Sequence, residues 1–539
     1  MPSPRSVLPG ADSGTAIGPQ LHAVVLGAGV AGLLAAHVCC SHFDRVTLLE
    51  ADKLASPAPE TDGQTAETIM QASSSGGNWA AKQRRGIPQL AHPHVLAMGG
   101  LEALRALLPG FEQELVHRGG VPIDLAKDIR WYDFGANYVR ADSTLKSVGA
   151  SRALIQSTLQ DEVMRRNAGK LTVMDGCRVS GLLWDEEKTC VTGKCAACLM
   201  LLVLLVLVLL YPVLLAPTAA TPNRVELRDG EELQADLVIV ASGRTSCLPQ
   251  WLKAAGHPVP AVQKVDAQMV YVSRMYEMPN DWDKKRWMGH ATFGRPSGLT
   301  GAIMTIVEGN VWQMVEWGYN GVVPPMDEQA FLDYAANLPD KEIYNAIRSA
   351  KPLTPLCKHA GANNVQRCWD ATPPAPGVLA IGDGVQALNP LYGQGMSVAA
   401  KSAECLSRVM QSSVAGKASL EARRQAVRSM GPSFHKQLAA VVAPAWMMAT
   451  SEDQRYPRTK VEGVAKPSRL LCMYIDALVK SCHHNAAVLM GFFEVAHLVR
   501  PPTHLFHPRM LAAGLKQMLW DAWQGLWPAA PAPAALKTE

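Results

Sequence analysis

Residues 22–50 read HAVVLGAGVAGLLAAHVCCSHFDRVTLLE, and the order of residue types along this stretch decides the fold. Residues 23–26 are a short apolar run that predicts a strand. Gly27, Gly29 and Gly32 then form a G-x-G-x-x-G, an Ala/Leu-rich stretch predicts a helix, and residues 45–49 predict a second strand that ends at Glu50. The glycines permit a tight turn and close backbone approach to a pyrophosphate, which the unpaired N–H groups and dipole of a helix start favour. Glu50, eighteen residues after Gly32, lies near the spacing at which a carboxylate accepts from a ribose hydroxyl. Gly27, Ala28, Gly29, Val30, Ala31, Gly32 and Glu50 are therefore candidate dinucleotide-binding residues.

A second glycine-rich signal lies far along the chain. Residues 377–381, GVLAI, predict another buried strand, and GDGVQALNPLYGQGM at 382–396 leads into a helix of small and apolar residues from about Ser397. Asp383 sits where a carboxylate takes a sugar-type hydroxyl, and Gly393 and Gly395 leave backbone N–H groups open at a second helix start. Two such sites in one chain suit a long dinucleotide gripped at its pyrophosphate and at its far ring, which points to FAD.

The rest of the composition narrows the class. With 539 residues and 48% hydrophobic content, the chain can build two or three packed units. Lys+Arg total 51 against 47 Asp+Glu, net +4, and no basic run is interleaved with aromatics, so no nucleic-acid partner is expected. The twelve cysteines are scattered and read as reduced thiols of a cytosolic-type protein. Cys195 and Cys198 form a lone C-x-x-C without a second pair, so no metal site is expected. Residues 1–20 lack an apolar core or an Arg-rich amphipathic pattern and read as a disordered leader without a targeting signal.

Three stretches together, GAGVAG with Glu50, ADLVIVASGR at 235–244, and IGDGVQALNPLYGQGM at 381–396, resemble FAD-dependent monooxygenases of the aromatic-hydroxylase and squalene-epoxidase type. The likeness is closer to a bacterial-type branch that includes polyether epoxidases, whose pattern is matched by RRGIPQLAHPHVLAMGGLEAL (84–104), SRALIQSTLQ (151–160), SGRTSCLPQWL (242–252) and PAWMMATSEDQRYP (444–457). The resemblance spans roughly residues 22–510 apart from two insertions. It implies that Arg152 lies near the FAD, that Asp383 meets the ribitol and phosphate, and that Gly393, Gln394, Gly395 and Met396 lie against the flavin ring, with Gly382 and Pro390 also among the cofactor-binding residues. Gly384 and Gln386 depart from an alanine and a histidine common in such proteins, and Ser242 replaces the aspartate of a motif linked with nicotinamide use. His92 and His94 match a segment that passes the cofactor, so they read either as flavin neighbours or as acid/base groups.

The fold class expected is α/β, a Rossmann-type FAD-binding domain of the GR2-like kind with an interleaved β-sheet substrate domain and C-terminal helices. Its segments are 21–193, 224–260 and 371–410 for FAD, 261–370 for the substrate sheet and 411–526 for the helices, with a disordered tail at 527–539. Trp312, Trp317, Tyr271 and Tyr319 are candidates to line a pocket, though aromatics on such strands serve the core more often. The helical region from 401 to 520 shows little chemistry.

Two insertions interrupt this plan. Residues 54–82 are polar and small and read as a flexible surface loop. Residues 195–216, CAACLMLLVLLVLVLLYPVLLA, carry no charge and are long enough to span a bilayer. They nevertheless split a predicted strand pair, so a crossing would separate the two halves of a hairpin. Leaving residues 199–210 in water forfeits roughly 20 to 35 kcal/mol at about 1.5 to 3 each, more than a typical folding stability of about 5 to 15 kcal/mol. The segment 194–223 is read as a translated intron, since Gly193-Lys194-Cys195 can be encoded GGT-AAG-TGC with a common donor sequence, and alternatively as a site of monotopic membrane association.

The activity the resemblance implies is flavin monooxygenation, hydroxylation or epoxidation, with NAD(P)H and O2 as co-substrates and a flavin C4a-hydroperoxide as oxygen donor. The substrate strands carry Met, Val, Trp and Tyr with few charges, which suits a small apolar olefin or aromatic ring. Two alternatives stand beside this: an FAD-dependent reductase or dehydrogenase of a prenyl or quinone-like lipid, and a non-catalytic membrane-associated flavoprotein. A cytoplasmic location is favoured, with membrane association the alternative, and nothing in the sequence sets the oligomeric state.

Overall fold

The computed structural model describes residues 20–54, 92–94, 96–184, 222–227, 232–295 and 298–524. The leader, nearly all of the 54–82 insertion, the apolar stretch 195–216 and the C-terminal tail lie outside the described residues.

The His22–Leu26 strand pairs in parallel with Arg45–Glu50, as the strand–helix–strand reading requires, because the Val30–Cys40 helix carries the chain back between them. Leu237–Val240 adds on the other side, and the edges are Val378–Ala380 and Leu171–Asp175, giving a five-stranded parallel sheet. Two of its inner strands, HAVVL and LVIV, are buried at every position, so no alternate residue meets water and apolar side chains fill both faces. The Val30–Cys40 helix packs against the Arg152–Arg166 and Gly395–Ser413 helices. Two segments more than three hundred residues apart thus bring their helix starts to the same end of one sheet.

A seven-stranded sheet forms the second layer, in the order Cys357–Ala360, Val270–Glu277, Val311–Gly318, Thr300–Val307, Gly289–Phe293, Ile129–Asp133 and Ala136–Asn137. Residues 129–137, grouped by sequence with the first dinucleotide segment, extend this sheet through a parallel pairing of Ile129–Asp133 with Gly289–Phe293. A four-stranded sheet of Gln386–Ala387, Asn364–Arg367, Val262–Asp266 and Lys460–Glu462 ties the two layers to the C-terminal region. The helix Gly431–Asp453 packs on the Gly395–Ser413 helix and on this small sheet. No helix of the described residues is long and apolar enough to cross a membrane.

The apolar insertion leaves from a hairpin end. Val179–Trp184 pairs antiparallel with Pro222–Leu227, and Trp184 lies opposite Pro222, so the chain departs and returns at adjacent strand ends.

Strand alternation sorts the four aromatics. Tyr271 and Trp317 are cross-strand partners on the face turned to the parallel-sheet domain, whereas Trp312, five residues from Trp317, points the other way. There it packs against Trp282 and Trp287, with ring centroids 4.8 and 5.8 Å away. Tyr319 lies past the strand end in a buried polar cluster described below.

On the face of Trp312 the same alternation buries Glu316 completely, with neither carboxyl oxygen partnered. Burial pushes its pKa well above the ordinary glutamate value, so the folded protein holds the carboxyl neutral. A folded-state pKa raised in this way costs nothing below the unfolded value of about 4.3 and removes stability as pH rises above it. Glu316→Gln is expected to raise the melting temperature, with a larger gain at pH 8 than at pH 5. An equal gain at both pH values, measured by thermal unfolding, would show that Glu316 is not titrating.

Candidate functional site

A cavity of about 600 Å³ opens at the C-terminal ends of the parallel strands and runs to the seven-stranded sheet. One end is walled by Gly27, Gly29, Val30, Ala31 and Glu50 and the middle by His92, His94, Arg152 and Asp383. Pro390, Gly393, Gly395 and Met396 form a further side, and Met269, Tyr271, Ile303, Val315 and Trp317 close the far, apolar end. Ala28, Gly32, Gly382 and Gln394 do not line it.

The glycines divide by what a side chain would meet. Gly27 has φ +101°, and a Cβ there would stand 2.7 Å from the Ala241 carbonyl oxygen. At Gly32 it would lie 1.7 Å from the Gly27 oxygen, so this glycine lets the helix press onto its own turn. Gly29 and Gly395 are different: a Cβ at either would meet no atom of the described residues within 4 Å. Both face the cavity, each at the start of a helix, so the space beside them is open to a ligand. The helix at the second site begins at Gly395, two residues earlier than read from sequence.

Glu50 is buried with its carboxylate turned back onto the turn. Oε2 accepts from the Ala28 N–H at 2.7 Å and Oε1 from the Asp52 N–H at 3.0 Å. The acidic strand end thereby braces the glycine turn while lining the cavity. Gly382, at φ +61°, brings the two glycine loops together, since a Cβ there would stand 2.7 Å from that of Ala31. Burial raises the pKa of the neighbouring Asp383 carboxyl against the downward pull of Arg244, Arg152 and Arg367. Arg152 opens its helix behind Ser151, which caps the Leu154 N–H and is itself held by the buried Glu308.

Residues 389–393 are positioned from a distance. The Asn389 side chain accepts from the Leu391 N–H at 3.1 Å and donates to both oxygens of Asp453, at 3.2 and 3.0 Å. Asp453, fully buried at the end of the Gly431–Asp453 helix, also accepts from Tyr392 at 2.6 Å, Asn364 at 2.6 Å and Tyr319 at 3.3 Å. The region read as poor in chemistry therefore supplies the carboxylate that holds one cavity wall. Gln394 is turned toward the C-terminal helices and donates to the Ala496 carbonyl at 3.0 Å, which is why it misses the cavity.

His92 and His94 are held neutral. Burial drives the pKa of each down to about 3, helped at His92 by His359 and His94 and at His94 by Arg152. His92 Nδ1 lies 2.8 Å from the Ser273 hydroxyl, and its ring meets Tyr271 edge-on at 4.7 Å. Imidazoles with such depressed values are not protonated to the cation at neutral pH and so are not general acids there, which favours wall contact over acid catalysis.

Arg178 reaches the cavity although sequence reading gave it no role, and Arg244, read only as part of a motif linked with nicotinamide use, lines it too. Arg244 donates to the Leu388 carbonyl at 2.7 Å and to the Asn363 side chain at 2.9 Å, and its own carbonyl accepts from Arg367 at 2.9 Å. The S-G-R stretch at 242–244 was its available signal. Arg178 arrives because it follows by three residues the Leu171–Asp175 strand, which pairs beside Arg45–Glu50 with Asp175 opposite Glu50, and no local pattern announces that pairing.

No protein-family model matches the chain. It is 25% identical over 449 residues to Protein Rv3254 of Mycobacterium tuberculosis, covering 82% of each chain. Among solved structures it is similar to the flavin-dependent brominase Bmp2, with TM-score 0.57 and 10% identity over 93% of this chain and 100% of that one. A flavoprotein/dehydrogenase from Cytophaga hutchinsonii gives TM-score 0.55 and 12% identity over 94% and 100%. PqsL, a probable FAD-dependent monooxygenase from Pseudomonas aeruginosa, gives 0.50 and 13% over 81% and 98%. With its parallel sheet, glycine turns and facing antiparallel layer, the chain has the fold of the FAD-dependent monooxygenases.

Proposed function

We propose that the protein is an FAD-dependent monooxygenase, an oxidoreductase that uses NAD(P)H and O2 to hydroxylate or epoxidise an apolar olefinic or aromatic substrate, in the manner of the polyether-epoxidase branch. The observation that carries this reading is the single cavity that joins two open helix starts, at Gly29 and Gly395, to an apolar wall. Two cradles that no described residue fills, with Glu50 and Asp383 beside them, fit a dinucleotide with phosphates at one end and a ring at the other.

FAD, when bound, supplies hydride acceptance and oxygen activation. The backbone at Gly29 and Val30 would face its pyrophosphate, Glu50 and Asp383 its sugar hydroxyls, and the helix start at Gly395 its ring. That helix start places N–H dipoles where negative charge on a reduced ring would develop. Met269, Ile303, Val315 and Trp317 exclude water from the opposite side and select for apolar substrate surface. The neutral imidazoles of His92 and His94 add bulk and hydrogen bonding without charge.

The test is anaerobic addition of NADPH to the flavin-loaded protein, followed by turnover under 18O-labelled dioxygen with a panel of apolar olefins and arenes. Bleaching of the flavin bands and label in the product are expected. Reduction of a quinone-like acceptor with no label in any product would replace this reading with the reductase one.

A further inference from the structure

The C-terminal helix Pro508–Trp523 is amphipathic in an unusual sense. Its inner face is fully used: Met510 and Gly514 are buried, a Cβ at Gly514 would stand 2.3 Å from the Tyr474 ring, and Asp521 is buried and paired with Lys480 at 2.7 Å. Its outer face is where a polar surface belongs, yet Leu511, Leu515, Leu519 and Trp523 recur every fourth residue along it, with Trp520 alongside. Leu515 is 54% exposed, Leu519 72% and Trp523 75%, so more than half of each lies in solvent, and five of the twelve exposed large apolar side chains among the described residues sit on this one helix. Just before it, exposed Phe506 stacks on Tyr474 and extends the apolar surface.

Charge decides what covers this face. The charged residues exposed on the helix are Arg509 and Lys516, both cationic, and the helix's acidic residue, Asp521, is on the buried side. A second copy of the chain docked on the face by two-fold symmetry would set these cations against themselves with no carboxylate to answer them. An anionic lipid surface answers both features at once: phosphates meet Arg509 and Lys516, leucines enter the acyl boundary, and tryptophans suit the headgroup layer. At 1.5 Å per residue the helix would lie along about 24 Å of that surface.

We propose that the outer face of the Pro508–Trp523 helix seats the protein on an anionic bilayer, lying in the interface without crossing it. This is independent of the flavin reading and of the apolar stretch 195–216. The test uses the full chain and vesicles of equal parts phosphatidylglycerol and phosphatidylcholine, compared with phosphatidylcholine alone. Flotation with the anionic vesicles is expected, weakened at least about tenfold by Leu515→Glu/Leu519→Glu, and brominated lipid should quench tryptophan fluorescence in the parent but not in Trp520→Phe/Trp523→Phe. Both leucines project into solvent, so the double variant should keep the parent's melting temperature. Undiminished flotation of the leucine variant, or quenching that survives loss of both tryptophans, overturns the proposal and moves any lipid contact elsewhere on the chain. A parent dimer that the leucine variant converts to monomer, without vesicle binding by the parent, overturns it in favour of a second copy.

Discussion

Gly29→Val is expected to yield a folded protein that has lost its flavin. A Cβ at Gly29 would meet no atom of the described residues within 4 Å, and the backbone there is extended, φ −75° and ψ −177°, a conformation open to any residue. The branched side chain would stand in the open space in front of the helix start, where a pyrophosphate needs close approach to backbone N–H groups. Losing two charge-assisted hydrogen bonds at about 1.5 to 3 kcal/mol each weakens binding by roughly a hundredfold to ten-thousandfold. The measurement is flavin titration by fluorescence quenching alongside thermal unfolding of the flavin-free protein. Unchanged flavin affinity in the folded variant would sink the placement of the cofactor beside Gly29. Gly32 offers the contrast, because there a Cβ collides with the Gly27 oxygen and the damage falls on the turn itself.

Asp453→Ala should be the most destabilising single change near the cavity. It strips the acceptor from Tyr392, Asn389, Asn364 and Tyr319 at once, leaving donors buried without partners. Leaving a buried donor without its acceptor costs about 1 to 3 kcal/mol, and the 389–393 turn loses its anchor with the carboxylate. A lower melting temperature and weaker flavin retention are both expected. Asp453→Asn separates charge from hydrogen bonding. Burial pushes the Asp453 carboxyl up to about 6 from an ordinary 3.8, against the pull of its hydrogen bonds from Tyr392, Asn389 and Asn364. Because the folded-state value is the higher one, the stabilisation is full below 3.8 and is lost as pH rises through 6. The asparagine variant should therefore show a flatter melting temperature across pH 4 to 6 than the parent, and an identical profile would mean that Asp453 does not titrate in that window.

Such an anchor is invisible in the stretch SEDQRYP, where Asp453 looks like any helix-terminal carboxylate. Its role depends on Asn389, sixty-four residues away, and Tyr319, a hundred and thirty-four away, converging on one point. Pocket aromatics were half legible for a related reason. Strand periodicity puts Trp312 and Trp317 on opposite faces, but which face meets the cavity is set by how the sheet docks.

What the sequence alone determined is the strand–turn–helix–strand at 22–50, the second glycine turn at 382–396, and the apolar strands between layers. These are local: a positive φ, a helix start without a side chain, or a strand buried on both faces restricts residue type at the position itself. The tertiary structure alone decided that Glu50 braces the turn, that Gln394 faces away from the cavity, that residues 129–137 join the second sheet, and that Arg178 and Arg244 reach the site. Each of these is a choice of partner between segments distant in the chain, and a polar side chain carries no mark of which distant partner will satisfy it until burial brings the two together.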